Sequence, residues 1–187
     1  MSNISNRVVG DRLATQAAVL LRNGSPRDLT GMTVSFVGLT AAGVAWITET
    51  SSNVTAQTPV PFTVDTDRDE IIANAHGLVA GDEVTVSSTG TLPTGLATAT
   101  RYFVRDISPN RFKVALTPGD VPVNLSASGS GTHSYKQLGY VEYAYQTGET
   151  ANAGDYKAWF VVTSGGLDDT HPATAEGIAI TIVAQGA

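Results

Sequence analysis

The sequence predicts an all-β fold, an immunoglobulin-like β-sandwich interrupted by a small inserted β-domain. Three observations predict it. Apolar residues recur with period two in runs of ordinary strand length, and nowhere is a period of 3.6 sustained. Turn residues, the pair Asn23-Gly24 above all, separate the runs. The strong runs fall in two blocks, 1–53 and 137–187, around a middle segment, 54–136, that is richer in Pro, Gly and Thr.

Taken in order, Thr15 to Arg22 is an apolar-rich strand closed by Asn23-Gly24. Met32 to Leu39 alternates Val34 and Phe36 against Thr33 and Ser35, and Val44 to Thr50 follows with Trp46. In the last block, Tyr140 to Tyr145 places Val141, Tyr143 and Tyr145 on one face. Asp155 to Thr163 aligns Tyr156, Ala158, Phe160 and Val162, and Ile178 to Val183 aligns its three isoleucines. The one stretch with any helical cast is Val9 to Ala18. Between the blocks the strand candidates are shorter: Phe62–Thr66, Glu70–Ala73, Glu83–Ser87, Tyr102–Asp106, Phe112–Leu116 and Val123–Leu125. Thr55 to Pro61 carries two prolines and reads as a linker or edge, and the Gly/Ser-rich Ser126 to Thr132 reads as a flexible return. Without this middle, the two blocks amount to one sandwich of immunoglobulin size.

The sharpest local signal is Asn152-Ala153-Gly154-Asp155-Tyr156-Lys157-Ala158. Its spacing is that of a tyrosine corner, with Ala158 at the place of the immunoglobulin cysteine. Asn152 is expected to cap the turn, Gly154 to permit a tight bend, and the Tyr156 hydroxyl to bond back to nearby backbone. The corner bears on fold and carries no chemistry.

Composition excludes several function classes. The 187-residue chain is 42% hydrophobic but only 15% charged, below the usual quarter, with Ser, Thr, Ala and Gly in the place of Lys and Glu. A neutral surface of low side-chain entropy suits burial against neighbours in an assembly. The net charge is −6 and no Lys/Arg run occurs, so nucleic acid is not an expected partner. Without cysteine there is no disulfide framework, thiolate zinc site or cysteine nucleophile. Apolar runs are too short to span a membrane and the polar start lacks a signal-peptide pattern, so synthesis in a cytoplasm is expected.

A search for chemistry yields little. The three histidines, His76, His133 and His171, lie apart in turn-rich segments without metal-ligand spacing. No Gly-x-Ser-x-Gly elbow occurs, and Ser128-Gly129-Ser130-Gly131 lacks the lysine of a phosphate cradle. Paired carboxylates distant in sequence remain open. The acidic run Asp65-Thr66-Asp67-Arg68-Asp69-Glu70 could gather calcium. As an EF-hand it fails, with Glu70 at the glycine place and His76 at the bidentate glutamate place. A solvated turn is its plainer reading. No cofactor, metal ligand or catalytic residue is predicted, and the chain is expected not to be an enzyme.

Two sets of motifs carry a family resemblance. Gly10-Asp11, Asp28-Leu29-Thr30-Gly31 before Thr33-Val34-Ser35-Phe36, Gly139-Tyr140-Val141-Glu142-Tyr143, Ala153 to Phe160, and Thr170-His171-Pro172 before Ile178 to Val183 form the first. This outer part resembles the N-terminal domain of upper baseplate proteins of siphophages. The second set is His76 to Val84, Gly90-Thr91-Leu92-Pro93-Thr94-Gly95-Leu96, Tyr102-Phe103-Val104 and Ser128 to His133, and it resembles a β module of phage tail-fibre and head-fibre proteins. Upper baseplate proteins continue into a long C-terminal extension that this sequence does not show.

The resemblance implies a bacteriophage virion structural protein: a capsid decoration, tail or baseplate accessory subunit. It would pack against other virion proteins in many copies or as a homo-oligomer, without nucleic acid or membrane as partner. The polar N-terminal arm, with Arg7, Asp11 and Arg12, is the expected docking contact, ordered on a neighbouring subunit. The alternative is a carbohydrate- or receptor-binding module of a phage fibre, with Tyr102, Phe103 or loop tips of the insert touching the ligand.

Overall fold

A computed structural model describes residues 4–8, 15–171 and 178–183. Among them every regular element is a β-strand, and the fold is all-β. The chain divides into two compact units, Met1–Ala56 with Gly139–Ala187, and Gln57–Leu138.

The discontinuous unit is a β-sandwich. One sheet contains β1 (Ile4–Val8), β5 (Thr33–Thr40), β6 (Ala45–Thr50), β15 (Gly154–Ser164), β16 (Leu167–His171) and β17 (Ile178–Val183). They run in the order β1-β17-β15-β5-β6, with β16 also paired to β15. The 11-residue β15 is long enough to serve two partners on one edge: Gly154–Ala158 pairs with β17 and Phe160–Ser164 with β16. The opposing sheet has the order β2-β14-β7, from Thr15–Val19, Tyr140–Ala144 and Val54–Ala56. The small hairpin β3 (Leu21–Arg22) and β4 (Ser25–Pro26) turns at Asn23 and Gly24, whose φ of 54° and 84° suit a type I′ turn.

Alternation decides what this sandwich buries. Val34, Phe36, Tyr156, Ala158, Phe160, Val162, Ile180 and Ile182 face one core with Val141, Tyr143 and Tyr145. Phe36 lies at its centre, stacked on Tyr143 at 4.2 Å and tilted against Phe160 at 4.9 Å. Val54–Ala56 belongs to this unit rather than to the insertion, because its backbone pairs with Val141–Tyr143. Thr15–Val19, within the stretch of helical cast, is extended and pairs with β14; Val9 to Ala14 lies outside the described residues.

The inserted unit is a closed antiparallel barrel of β8 (Val60–Asp65), β9 (Glu70–Ile72), β10 (Glu83–Ser88), β11 (Tyr102–Ser108), β12 (Arg111–Ala115) and β13 (His133–Gln137). Its order is β10-β11-β12-β9-β8-β13, and β13 closes on β10. Closure leaves no open edge within the barrel. Phe62, Ile71, Val84, Val86, Tyr102, Val104, Phe112 and Tyr135 fill the interior, with Leu78, Leu96 and Leu125 supplied from connecting segments. Ser126 to Thr132, expected to be a flexible return, is strapped down. Thr94 N–H donates to Ala127 O at 3.0 Å, and Ser130 N–H donates to Thr91 O at 2.8 Å.

The Tyr135 hydroxyl is buried in the barrel and has no hydrogen-bond partner among the described residues. Burial pushes this phenol from its ordinary 10.0 up to about 12. The folded barrel thus keeps the proton at a pH where the unfolded chain has lost it. The associated stability is complete below pH 10.0 and is lost as pH rises toward about 12. Tyr135→Phe should therefore be neutral or slightly stabilising at pH 7, because an unpaired buried hydroxyl contributes nothing that the ring does not. It should also flatten the alkaline loss. Urea unfolding at several pH values checks both, and a clear destabilisation at neutral pH would show a partner for the hydroxyl.

Candidate functional site

The tyrosine-corner residues meet at the start of β15. The Tyr156 hydroxyl donates to the backbone carbonyl of Asn152 at 3.0 Å, and its ring lies 4.3 Å from that of Trp46. Asn152 thus contributes its carbonyl to this bond. Gly154 holds a φ of +159°, a conformation that L side chains rarely adopt, and an added Cβ would lie 3.5 Å from the Tyr156 ring. Beside the corner, Glu149 collects three bonds. Its carbonyl accepts from Trp46 Nε1–H at 2.5 Å, and its carboxylate accepts from Tyr143 Oη–H and from Gln146 N–H, each at 2.7 Å. Burial, reinforced by the Glu149 carboxylate, pushes the Tyr143 phenol far up. Tyr156→Phe removes one bond while keeping the ring, and should cost about 1 kcal/mol in denaturant unfolding. A change in the midpoint with an unchanged slope is the expected signature.

Of the arm residues, Arg7 lies in β1, whose backbone runs parallel to β17 with Arg7 opposite Ile182. The arm is therefore paired within its own chain over Ile4–Val8. Asp11 and Arg12 lie outside the described residues.

The acidic run closes around a cation of the protein itself. One guanidinium nitrogen of Arg111 donates to Asp65 at 3.0 Å and to Glu70 at 2.8 Å. That bond from Arg111 holds the Asp65 carboxyl below its usual range. Asp69 is turned the other way, accepting from Leu125 N–H at 2.7 Å. Among the described residues no group of three or more His, Cys, Asp or Glu is placed to hold a metal ion. The run works as a strand connection locked by Arg111.

The aromatic residues divide by depth. Tyr143 and Tyr145 are core residues, at 0% and 4% exposure. Tyr102, expected as a ligand contact, is 1% exposed inside the barrel, where its hydroxyl accepts from Ala97 N–H at 2.8 Å. Its position after Arg101 turns it inward on the same face as Val104, so it offers no ring to a ligand.

An open groove of about 900 Å³ lies on the barrel, between β8, the end of β9 and the Ser128–Thr132 strap. Val60, Val64 and Ile72 give it apolar walls, and Asn74, Ser130 and Thr132 a polar rim. His133 lies at its end with one ring nitrogen 2.9 Å from Ser88 Oγ and the other donating to Ser128 O at 2.9 Å. Sequence reasoning missed this groove because its walls come from three separated segments. Exposed large apolar residues lie elsewhere: Val19 and Leu21 beside the β2 edge, Leu116 and Val121 around the turn after β12, and Leu167 at the β15–β16 turn.

No family model and no curated protein matches the chain. Among solved structures it is similar to a family 123 glycoside hydrolase from Clostridium perfringens, described for its hydrolysis of glycolipid glycans, at 12% identity and a TM-score of 0.32. The match covers 97% of this chain but 22% of the hydrolase, so the chain spans about a fifth of that protein. The expectation that the chain is not an enzyme is corrected on this finding and withdrawn, since the matched structure is a hydrolase. Glycosidases act through carboxylates that need not be near in sequence, so the absence of a local motif was a poor ground for it. At this TM-score the likeness carries no catalytic residue, substrate or mechanism to the chain.

Proposed function

We propose that this chain is a structural subunit of a bacteriophage virion, a capsid decoration, tail or baseplate accessory protein acting through protein–protein packing. The observation that carries the reading is low charge beside exposed apolar side chains: only 15% of residues are charged, and Val19, Leu21, Leu116, Val121 and Leu167 stand exposed. Val19 is 40% and Leu21 48% exposed beside β2, which pairs with β14 alone among the described residues. A strand edge with apolar neighbours and few charges is a template for another chain, and in a monomer it is a liability. In a particle, many copies of a modest interface hold by avidity. The motif resemblance to baseplate and fibre modules supports the same reading.

The test is mass spectrometry and labelled-antibody electron microscopy of particles purified from cells that make the protein. Many symmetry-related capsid sites would identify a decoration subunit, and labelling at one pole a tail or baseplate subunit. Absence from every particle, with binding to a glycan array or release of sugar from a glycolipid, would replace this reading.

A further inference from the structure

His76 stands in the connection between β9 and β10, and its two ring nitrogens have partners of fixed polarity. The backbone N–H of Leu78 donates to Nδ1 at 3.0 Å. Nε2 lies 2.7 Å from the carbonyl of Ser108, which can only accept. A backbone N–H cannot accept and a carbonyl cannot donate, so the ring is neutral, with its single proton on Nε2. A second proton has nowhere to go but Nδ1, where it would face the Leu78 N–H.

The turn that this bond closes is under tension. Ala75 holds a φ of +48° and Gly77 one of +67°. The left-handed region is costly for alanine and persists only where neighbours impose it. Asn110 Oδ1 accepts from Ala75 N–H at 2.9 Å, and the Phe112 ring meets the imidazole edge-on at 5.1 Å. Leu78, one residue past the glycine, is a core residue of the barrel at 5% exposure. Releasing its amide loosens a side chain that fills the interior.

Among the described residues His76 makes no ion pair, and the carboxylate on its own connection, Asp82, accepts from Val79 N–H at 2.8 Å. Around the ring, the cleft is walled by Ala75, Gly77, Leu78, Ile107, Ser108 and Pro109, none of them titratable. On the neighbouring β11–β12 hairpin, Asp106 pairs with Arg105, and Arg111 pairs with Asp65 and Glu70. None of these ion pairs involves His76. We propose that His76 is an acid-sensitive staple of the barrel, in which a second ring proton breaks the Leu78 bond and frees the Ala75–Leu78 turn. Val79, 62% exposed, and Ile107, 37% exposed, already flank this turn, so its release enlarges an apolar patch in acid.

The same chain supplies the design of the control. Asp28 Oδ1 accepts from Thr30 N–H at 3.0 Å, and Asp65 Oδ1 from Asp67 N–H at 3.2 Å, the same i to i+2 bond that His76 makes. Asparagine closes such a turn with an oxygen that does not titrate over the histidine range. In the full-length protein, the amide protection factor of Leu78 should fall about fivefold or more as pH is lowered from about 8 to about 5, the loss of one hydrogen bond. His76→Asn should keep the protection at high pH and abolish the fall. Imidazole ¹⁵N shifts of the wild-type protein at neutral pH should show protonated Nε2 and bare Nδ1. A flat Leu78 protection factor, an equal fall in His76→Asn, or a proton on Nδ1 at neutral pH would each overturn the proposal. Should His76→Asn fail to fold, the wild-type shifts and protection factors decide alone.

Discussion

Phe36→Ala should remove about 4 kcal/mol from the sandwich, the upper range for deleting a buried aromatic ring. The ring is fully buried, stacked at 4.2 Å on Tyr143, 4.9 Å from Phe160 and edge-on to Tyr145 at 6.4 Å. Its partners come from both sheets, so alanine leaves a hole between them that neither can close by shifting alone. Each aromatic pair adds about 1 kcal/mol beyond the buried area. Against a total stability of about 5–15 kcal/mol, such a loss removes much of the margin. The effect should be confined to one unit, because Phe36 belongs to the sandwich core and the barrel interior is a separate cluster around Phe112 and Tyr135. Hydrogen exchange resolves the two: protection in β5, β14 and β15 should collapse while that of β10 to β13 persists. A loss below about 1.5 kcal/mol would mean that the site collapses around the alanine.

Gly95→Ala should destabilise the barrel unit by about 3 kcal/mol, combining backbone strain with overpacking. Gly95 holds a φ of +104°, and an added Cβ would lie 2.1 Å from the carbonyl oxygen of Asn124. That obstacle is backbone, so no rotamer change relieves it. Gly119 supplies the contrast, with a φ of +80° and open space where its Cβ would be. Gly119→Ala should therefore cost only the left-handed conformation, about 1 kcal/mol. Thermal unfolding of the pair separates strain from collision, and equal losses would show that packing around Gly95 yields.

The strands that were legible in the sequence are those whose apolar residues alternate cleanly. Met32 to Leu39 and Asp155 to Thr163 fall within a residue or two of β5 and β15 because Val34, Phe36, Tyr156 and Phe160 mark one buried face. β13 was hidden, since His133-Ser134-Tyr135-Lys136-Gln137 puts a histidine where an aliphatic residue would announce the inward face. β16 was hidden by Asp168 and Asp169, whose carboxylates break the apolar alternation of a strand. Asp168 is satisfied on the sheet by Thr163 Oγ1–H at 2.7 Å, and Asp169 by buried Arg27 at 2.9 Å. Val123–Leu125 has strand-like spacing but joins no ladder; a side-chain oxygen of Asp69 holds Leu125 instead. The Trp46–Glu149 bond links residues 103 apart, and no local pattern foretells it. The groove and the His76 staple share that property, since strand pairing creates both.

The position of the insertion has an evolutionary consequence. The sandwich chain leaves at β7 and returns at β14, and those two strands are hydrogen-bonded neighbours, Ala56 opposite Val141. Within the barrel the first and last strands, β8 and β13, are neighbours as well, Val60 opposite Tyr135. Each unit therefore presents its two chain ends about one strand spacing, roughly 5 Å, apart. Matching ends of this kind make a socket. A lineage could exchange the barrel for another domain with neighbouring termini, or reduce it to a tight turn, without repairing either core. Recombination between such genes would swap whole cassettes at Ala56 and Gly139 while the sandwich core stays unchanged.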